Sequence, residues 1–386
     1  MFQALFNSLS GLFSFSRSLD TVSNNVANMN TPGFRGSDSF FENIAGEHGA
    51  RITGQGMRTG AGDMRQTGNS TDVAVEGGGF FVLRDLNGSL HYTRAGQFIF
   101  DEQGILIDSV SRFQVMGIDQ HGNLAPVSLE GQRTLPAQAT TRVTFSGNLQ
   151  PDDDPHEITV ANIYTAAGAS QSLKIKFTKN PDPALPRSLL VTITDATGAQ
   201  ISSGELRFSA SGFLEPGYNT LTAQLTVEGV TQELTFDFGV PGAFQGTTHM
   251  QSIATNIGGT VADGRPVLGI TTLQFDDKGV LQMTYSANEK RQGARLALAS
   301  FHSESLLELR SGRLISDADA QRSELGRAGE GVFGRIHGGS LEMSNIDLTQ
   351  EFADMLIIQR GYQASSRVMT VSNEMIEQLY NSTRGG

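Results

Sequence analysis

The residue groups that could carry chemistry each have a simpler structural explanation. Gly329-Glu-Gly-Val-Phe-Gly334 has the glycine spacing of a dinucleotide-binding turn. Such a turn needs a strand handing over to a helix whose N-terminus meets the pyrophosphate, and Gly338-Gly339 break any helix there. Asp152-Asp-Asp154 offers oxygens to Ca²⁺, but the alternating carboxylates and closing Glu of a calcium loop are missing, so a solvated turn is expected. The seven His, at 48, 91, 121, 156, 249, 302 and 337, include no pair at metal-ligand spacing. With no Cys, thiolate sites, disulfides and Cys nucleophiles are excluded. No GxSxG motif or paired-carboxylate constellation stands out. Tyr92-Thr-Arg-Ala-Gly96 is the motif most easily mistaken for a site, and Arg94 is expected to hydrogen-bond a loop of its own domain. The sequence therefore points to no catalytic residue, no cofactor and no metal, and the chain is not read as an enzyme.

The polar groups that remain sit beside a different kind of pattern. Leu5, Leu12, Leu19 and Val26 recur every seven residues near the start, and Leu348, Met355, Tyr362, Met369 and Ile376 do so near the end. A seven-residue apolar repeat buries its seam against other helices. The spacing predicts a helix from Phe2 to about Asn28, its stripe widened by Phe6, Leu9 and Phe13. Asn28, Asn30, Thr31, Pro32 and Gly33 stop it, because Pro32 forces Thr31 out of the helical region. Asn24, Asn25, Asn28 and Asn30 read as this stop, with polar links to an adjacent subunit. A second helix should follow Gly338-Gly339, capped by Asn345 or Asp347 with Gln350 as a capping-box partner, and run to about Leu379. Gly361 interrupts it, which suggests that another backbone comes close.

Between the helices the chain reads as strands and turns. Residues 31–70 are Gly-rich and are expected to form an extended linker. Asp72-Val-Ala-Val75, Gly77-Gly-Gly-Phe-Phe-Val-Leu83, the Asn87-Gly88 turn and Leu90–Phe98 form a hairpin pattern. Phe100-Asp-Glu-Gln-Gly-Ile-Leu106 and Phe275-Asp-Asp-Lys-Gly-Val-Leu281 repeat one tight-turn phrase, as two halves of one discontinuous domain would. In the middle, Leu173, Ile175 and Phe177 alternate with polar residues. So do Leu221, Ala223, Leu225 and Val227 against Thr222, Gln224, Thr226 and Glu228, as in an antiparallel sandwich or barrel. The expected fold is mainly β with α-helical termini that pair as a coiled-coil-like domain. The expected domains are 1–30 plus 340–386, the 31–70 linker, a discontinuous β domain over 71–145 plus 285–339, and an inserted outer β domain over 146–284.

Composition narrows the partners. Of the formal charge of −12, the segment 146–284 contributes −7, from 14 acidic and 7 basic side chains. A net acidic chain without basic clusters argues against nucleic acid and anionic lipid. The start carries no Lys or Arg before Arg17, so no cleavable secretory signal is expected, and no run approaches the length of a membrane span. The terminal stripes then need cover. The first helix is apolar around more than half its circumference, and Ala364, Ser365, Ser366 and Ser372 flank the second seam, so helices can crowd closely. The expectation is that both helices order only when many copies pack around an axis.

Three blocks carry a resemblance. Ser23-Asn-Asn-Val-Ala-Asn-Met-Asn-Thr-Pro-Gly-Phe-Arg35 is similar to the N-terminal signature of the rod and hook family of bacterial flagellar axial proteins. Asp72–Phe81 with Tyr92–Phe98 resembles its shared β-domain motif, and Leu341–Phe352 with Gln359–Ala364 its C-terminal signature. The size of the inserted middle, Asp347-Leu-Thr-Gln-Glu-Phe352 and Leu296-Ala-Leu-Ala-Ser-Phe301 are similar to the hook members; a distal rod subunit is the alternative. The resemblance implies a subunit of the curved, hollow joint that carries torque from rod to filament. It implies export through the flagellum's own type III apparatus, growth beneath a hook cap, and contact with rod, junction proteins and further copies of itself, without membrane insertion. The polymerisation residues it implies, together with the seam, are Leu5, Leu12, Leu19, Val26, Asn24, Asn25, Asn28, Phe34, Leu348, Phe352, Met355, Tyr362, Met369 and Ile376.

Overall fold

The computed structural model describes residues 2–44, 49–119, 121–227, 229–304, 307, 313–316 and 323–384. His48 and Glu228, singled out above, lie outside them. The chain forms two compact units, one of residues 1–131 with 271–386 and one of 132–270. The second unit thus starts at 132 rather than 146 and ends at 270 rather than 284. The reason is pairing: Val280–Thr284 lies between Thr272–Phe275 and Lys290–Arg295 and hydrogen-bonds to both within the first unit. Arg142–Asn148 joins the sheets of the second.

The second unit packs a four-stranded sheet and a five-stranded sheet over one core. Leu173, Ile175 and Phe177 are buried while Lys174 and Lys176 are exposed, as the alternation requires. Phe177 from one sheet meets Phe238 from the other edge-on at 6.2 Å, and Phe145 stacks on Phe238 at 4.5 Å. The result is a sandwich rather than a closed barrel. It is also mixed rather than antiparallel, because Arg142–Thr144 runs parallel to Thr235–Asp237. A parallel pair needs a long crossover, supplied here by the strands between them.

The first unit is built on a nine-stranded sheet. Phe80–Arg84 lies inside it, paired with Leu90–Thr93 on one side and with Gln114–Ile118 and Ala297–Phe301 on the other. The two expected turns are formed alike: Asp101 accepts the Ile105 N–H at 2.7 Å and Asp276 accepts the Val280 N–H at 2.8 Å, with Gly104 and Gly279 at positive φ. Asp85, Asp119 and Asp195 repeat the device at other hairpin tips.

At Asp119 the Asn123 N–H and side-chain amide hold the carboxyl below its ordinary pKa; at Asp195 the Thr197 hydroxyl and the Ala199 N–H do so. A lowered folded pKa means that these bonds add stability above the unfolded value and lose it as pH falls through the folded one. Their contribution to the urea midpoint should therefore be flat above about pH 4 and fall below it. In Asp195→Asn that acid slope should shrink; an unchanged slope would remove Asp195 from the account.

Helix α1 spans Phe2–Ala27 and α2 spans Leu348–Arg384. They are antiparallel neighbours, with Gly11 facing Ser365, Phe15 facing Gly361 and Asn25 bonded to Glu351. Each helix covers part of the apolar surface of the other. The expected linker is more structured than an extended strand. Ser37–Asn43 pairs with Ala50–Met57 as a hairpin that lies on α1. The Ser14 hydroxyl donates to the Ala50 carbonyl at 2.9 Å, and the Gln55 amide donates to the Thr21 hydroxyl at 2.7 Å. Pairing satisfies backbone groups that an extended linker would leave to water. No described helix is long and apolar enough to cross a membrane.

Candidate assembly interface

The paired helices owe their closeness to small residues. A Cβ at Gly361 would lie 2.6 Å from the Phe15 ring, and one at Gly11 would lie 2.9 Å from the Ser365 hydroxyl. What Gly361 admits is an aromatic ring, not a second backbone. Asp347 caps α2, accepting the Thr349 N–H at 2.8 Å. Gln350 does not complete a capping box; its amide turns forward to the Asp354 carboxylate.

Two sets of buried charges fix the roots of the helices. The first lies where α1, α2 and the hairpin meet. Glu351, fully buried in the first turn of α2, accepts from Arg58 at 2.6 Å and from the Asn25 amide at 3.1 Å. Arg58 also holds Asp38 at 2.8 Å, and the Asp38 bond, opposed by partial burial and supported by Glu351, raises its pKa. Asn25 has its remaining contacts with the Ser37 backbone, both at 3.0 Å. The second set centres on Glu342. Arg94 donates to it at 2.7 Å, Arg35 at 3.5 Å and the Gly62 N–H at 3.1 Å. Arg94 spends its other N–H groups on the carbonyls of Val75, Gly77 and Gly79, and Arg35 reaches Thr59 and Glu304. Both guanidinium groups lie 5.7 Å from the centre of the Phe80 ring. Arg94 thus binds a loop of its own domain, as read from the sequence. Burial lowers its pKa, against the charge of Glu342.

The residues expected to drive polymerisation divide four ways. Leu5, Leu12, Leu19, Val26, Leu348, Met355, Met369 and Ile376 are half-buried on their own helix pair. Asn25 and Phe34 are fully buried within their own chain, so they cannot serve as links to another copy; burial follows from the turn that folds residues 31–37 back onto the helix roots. Asn28 completes the helix stop, its amide donating to Asn24 and its carbonyl accepting from Thr31. Asn24, Phe352 and Tyr362 are exposed.

An exposed apolar surface combines the α1 stripe widened by Phe6 and Phe13 with α2 residues outside the seven-residue row. Ile357, Val368, Val371, Met375 and Leu379 lie open along α2, with Ile357 67% exposed, and Phe6 and Phe13 along α1. The α2 residues are spaced by sums of threes and fours, so they form a second seam about a third of a turn from the first. That spacing was available in the sequence; the seven-residue row hid it because both rows are apolar.

The other chemical candidates resolve into structure. Residues 329–334 form a turn in which the Gly329 N–H meets the Gly334 carbonyl and the Gly334 N–H meets Gly78. Asp152, Asp153 and Asp154 disperse to Gln251, His156 and the Lys179 N–H. Among the described residues no group of three His, Asp or Glu could hold a metal ion.

Family models match the chain at three places: "Flagella basal body rod protein" over residues 5–35, "Flagellar hook protein FlgE/F/G D1 domain" over 74–161, and "Flagellar basal body rod FlgEFG protein C-terminal" over 337–382. Flagellar hook protein FlgE of Salmonella typhimurium is 28% identical, the match covering 97% of this chain and 98% of the relative. The Escherichia coli and Borreliella burgdorferi proteins of that name are each 26% identical, with 98% of this chain and 99% of each relative covered. The crystal structure of Helicobacter pylori flagellar hook protein FlgE2 aligns with a TM-score of 0.47 and 14% identity, over 72% of this chain and 100% of that one.

Proposed function

We propose, on the premise that this chain belongs to the flagellar hook protein family, that it is the structural subunit of the hook. Copies would polymerise into a flexible hollow tube that carries torque from rod to filament. The observation that carries this reading is the pair of terminal helices whose outer stripes remain uncovered after the inner seam is closed. Burying a large apolar side chain contributes about 1.5–3 kcal/mol, and these are only partly buried, so each copy holds unspent driving force for association. The residues that close the inner seam, from Leu5 to Val26 and from Leu348 to Ile376, make a stiff two-helix arm. Phe352 and Tyr362, with the second seam, offer that arm to other copies.

The family's structural role supports a subunit without catalytic activity. Export through the flagellum's own type III apparatus, growth beneath a cap, and contact with rod and junction proteins belong to the same proposal. So does a location in the hook, with the 132–270 unit as its outer domain. A distal rod subunit is the second reading, favoured by the two end regions, whose matching models are named for the basal-body rod. Deleting the gene separates them. Basal bodies that keep their rods and lack the curved segment are expected, by electron microscopy; loss of the rod would overturn the hook reading.

A further inference from the structure

Antiparallel pairing leaves the two helices unequal. On the register of Gly11 with Ser365 and Phe15 with Gly361, the start of α1 lies level with Glu374. The last turns of α2, Met375–Arg384, therefore have no α1 beside them. This overhang is about 15 Å long at ~1.5 Å per residue. It carries Met375, Leu379 and Tyr380, each half-exposed or more.

A groove of matching length and character lies on the outer side of α1. It holds about 600 Å³ and is walled by Phe6, Leu9 and Phe13 of the helix and Ile44 of the hairpin. Its floor runs from Gln3 to Phe13, again about 15 Å of helix. Past Phe13 it continues into a hollow lined by Ala50 and Ile52, whose charged residues are Arg17 and Arg51, the latter paired with Glu42 at 3.2 Å. On the overhang, Glu374 flanks the Met375 stripe and forms no ion pair among the described residues.

We propose that the overhang of one copy's α2 seats in the groove between α1 and the hairpin of a second copy. Leu379 enters beside Phe13 and Ile44; Met375, one turn back, enters the hollow lined by Ala50 and Ile52, and Glu374 faces Arg17. The two helices run antiparallel, with Leu379 near the level of Phe13. Length, apolar character and charge agree for this occupant, and the same chain supplies it at the required stoichiometry. The inference rests on the reading of the chain as a polymer subunit and specifies one contact of that polymer.

The absence of native Cys makes the test direct. Two full-length variants, Phe13→Cys and Leu379→Cys, replace exposed side chains and should keep the circular dichroism of the parent. Mixed and polymerised under mild oxidation, they should give a disulfide-linked pair of unlike chains. Either variant alone should not, nor should the dilute mixture before polymerisation. Polymers visible by electron microscopy without that mixed disulfide overturn the seating alone. A chain that forms no polymer under any condition overturns both the seating and the hook reading.

Discussion

Glu342→Ala should cost the first unit about 3–5 kcal/mol, since removing one partner of a buried ion pair strands the other. Here two cations are stranded: Arg94 and Glu342 side chains are each 1% exposed, and Arg35 is 5% exposed. Arg35 keeps Glu304, but Arg94 would retain only backbone carbonyls. Such a loss is a large fraction of a domain's total stability of about 5–15 kcal/mol. Urea denaturation should show the transition of the first unit moving to a lower midpoint. The transition of the 132–270 unit should stay in place, because its core draws no residue from outside that unit. Glu342→Gln keeps the shape and some hydrogen bonding and should fall between parent and alanine variant. A change under about 1 kcal/mol for the alanine variant would show that the cluster is solvated in solution.

Ile357→Asp combined with Val371→Asp should abolish polymerisation and leave the single chain intact. Both residues are exposed on the second seam, so the substitutions should move the unfolding midpoint by no more than about 0.5 kcal/mol each. In a helix–helix contact the same carboxylates would be buried without partners, at several kcal/mol apiece, and every subunit would carry the penalty. Sedimentation should find the variant in the supernatant under conditions that pellet the parent, and cells expressing it should lack hooks and motility. Leu19→Asp provides the contrast. It lies on the inner seam, half-buried against α2, and should destabilise the single chain itself. Normal polymers from the double variant would show that this stripe is not the assembly surface.

Much of this was legible before any coordinates. Asp101 and Asp276 announce their turns because an Asp carboxylate capping the amide four residues on, with Gly at positive φ, is a local device. Leu173, Ile175 and Phe177 announced a half-buried strand because side chains alternate across any sheet. The stop after α1 was written in Asn28, Pro32 and Gly33. The glycine-spaced run at 329–334 was dismissed as a nucleotide site on its context alone, and it folds as a turn clasped to Gly78.

The misreadings concern longer range. Glycine in residues 31–70 suggests an extended linker, but nothing within that stretch tells that Ser37–Asn43 will pair with Ala50–Met57 and lie on α1. Gly361 was taken to mark a close backbone, whereas it makes room for the Phe15 ring. Asn25, read as a polar link beside the helix stop, and Phe34, implied by the resemblance, are both enclosed by the fold.

By itself the sequence determined the element types: two long helices at the ends, β structure between, and an apolar repeat on each helix. Periodicity and turn chemistry act within a few residues, so composition and spacing suffice to specify them. Only the tertiary structure decided which apolar stripe turns inward. Two stripes on one helix are chemically alike, and the choice belongs to the register set by Gly11, Gly361 and the buried Asn25–Glu351–Arg58 contacts. Those residues stand nearly 300 or more positions apart, and only folding brings their shapes and charges together.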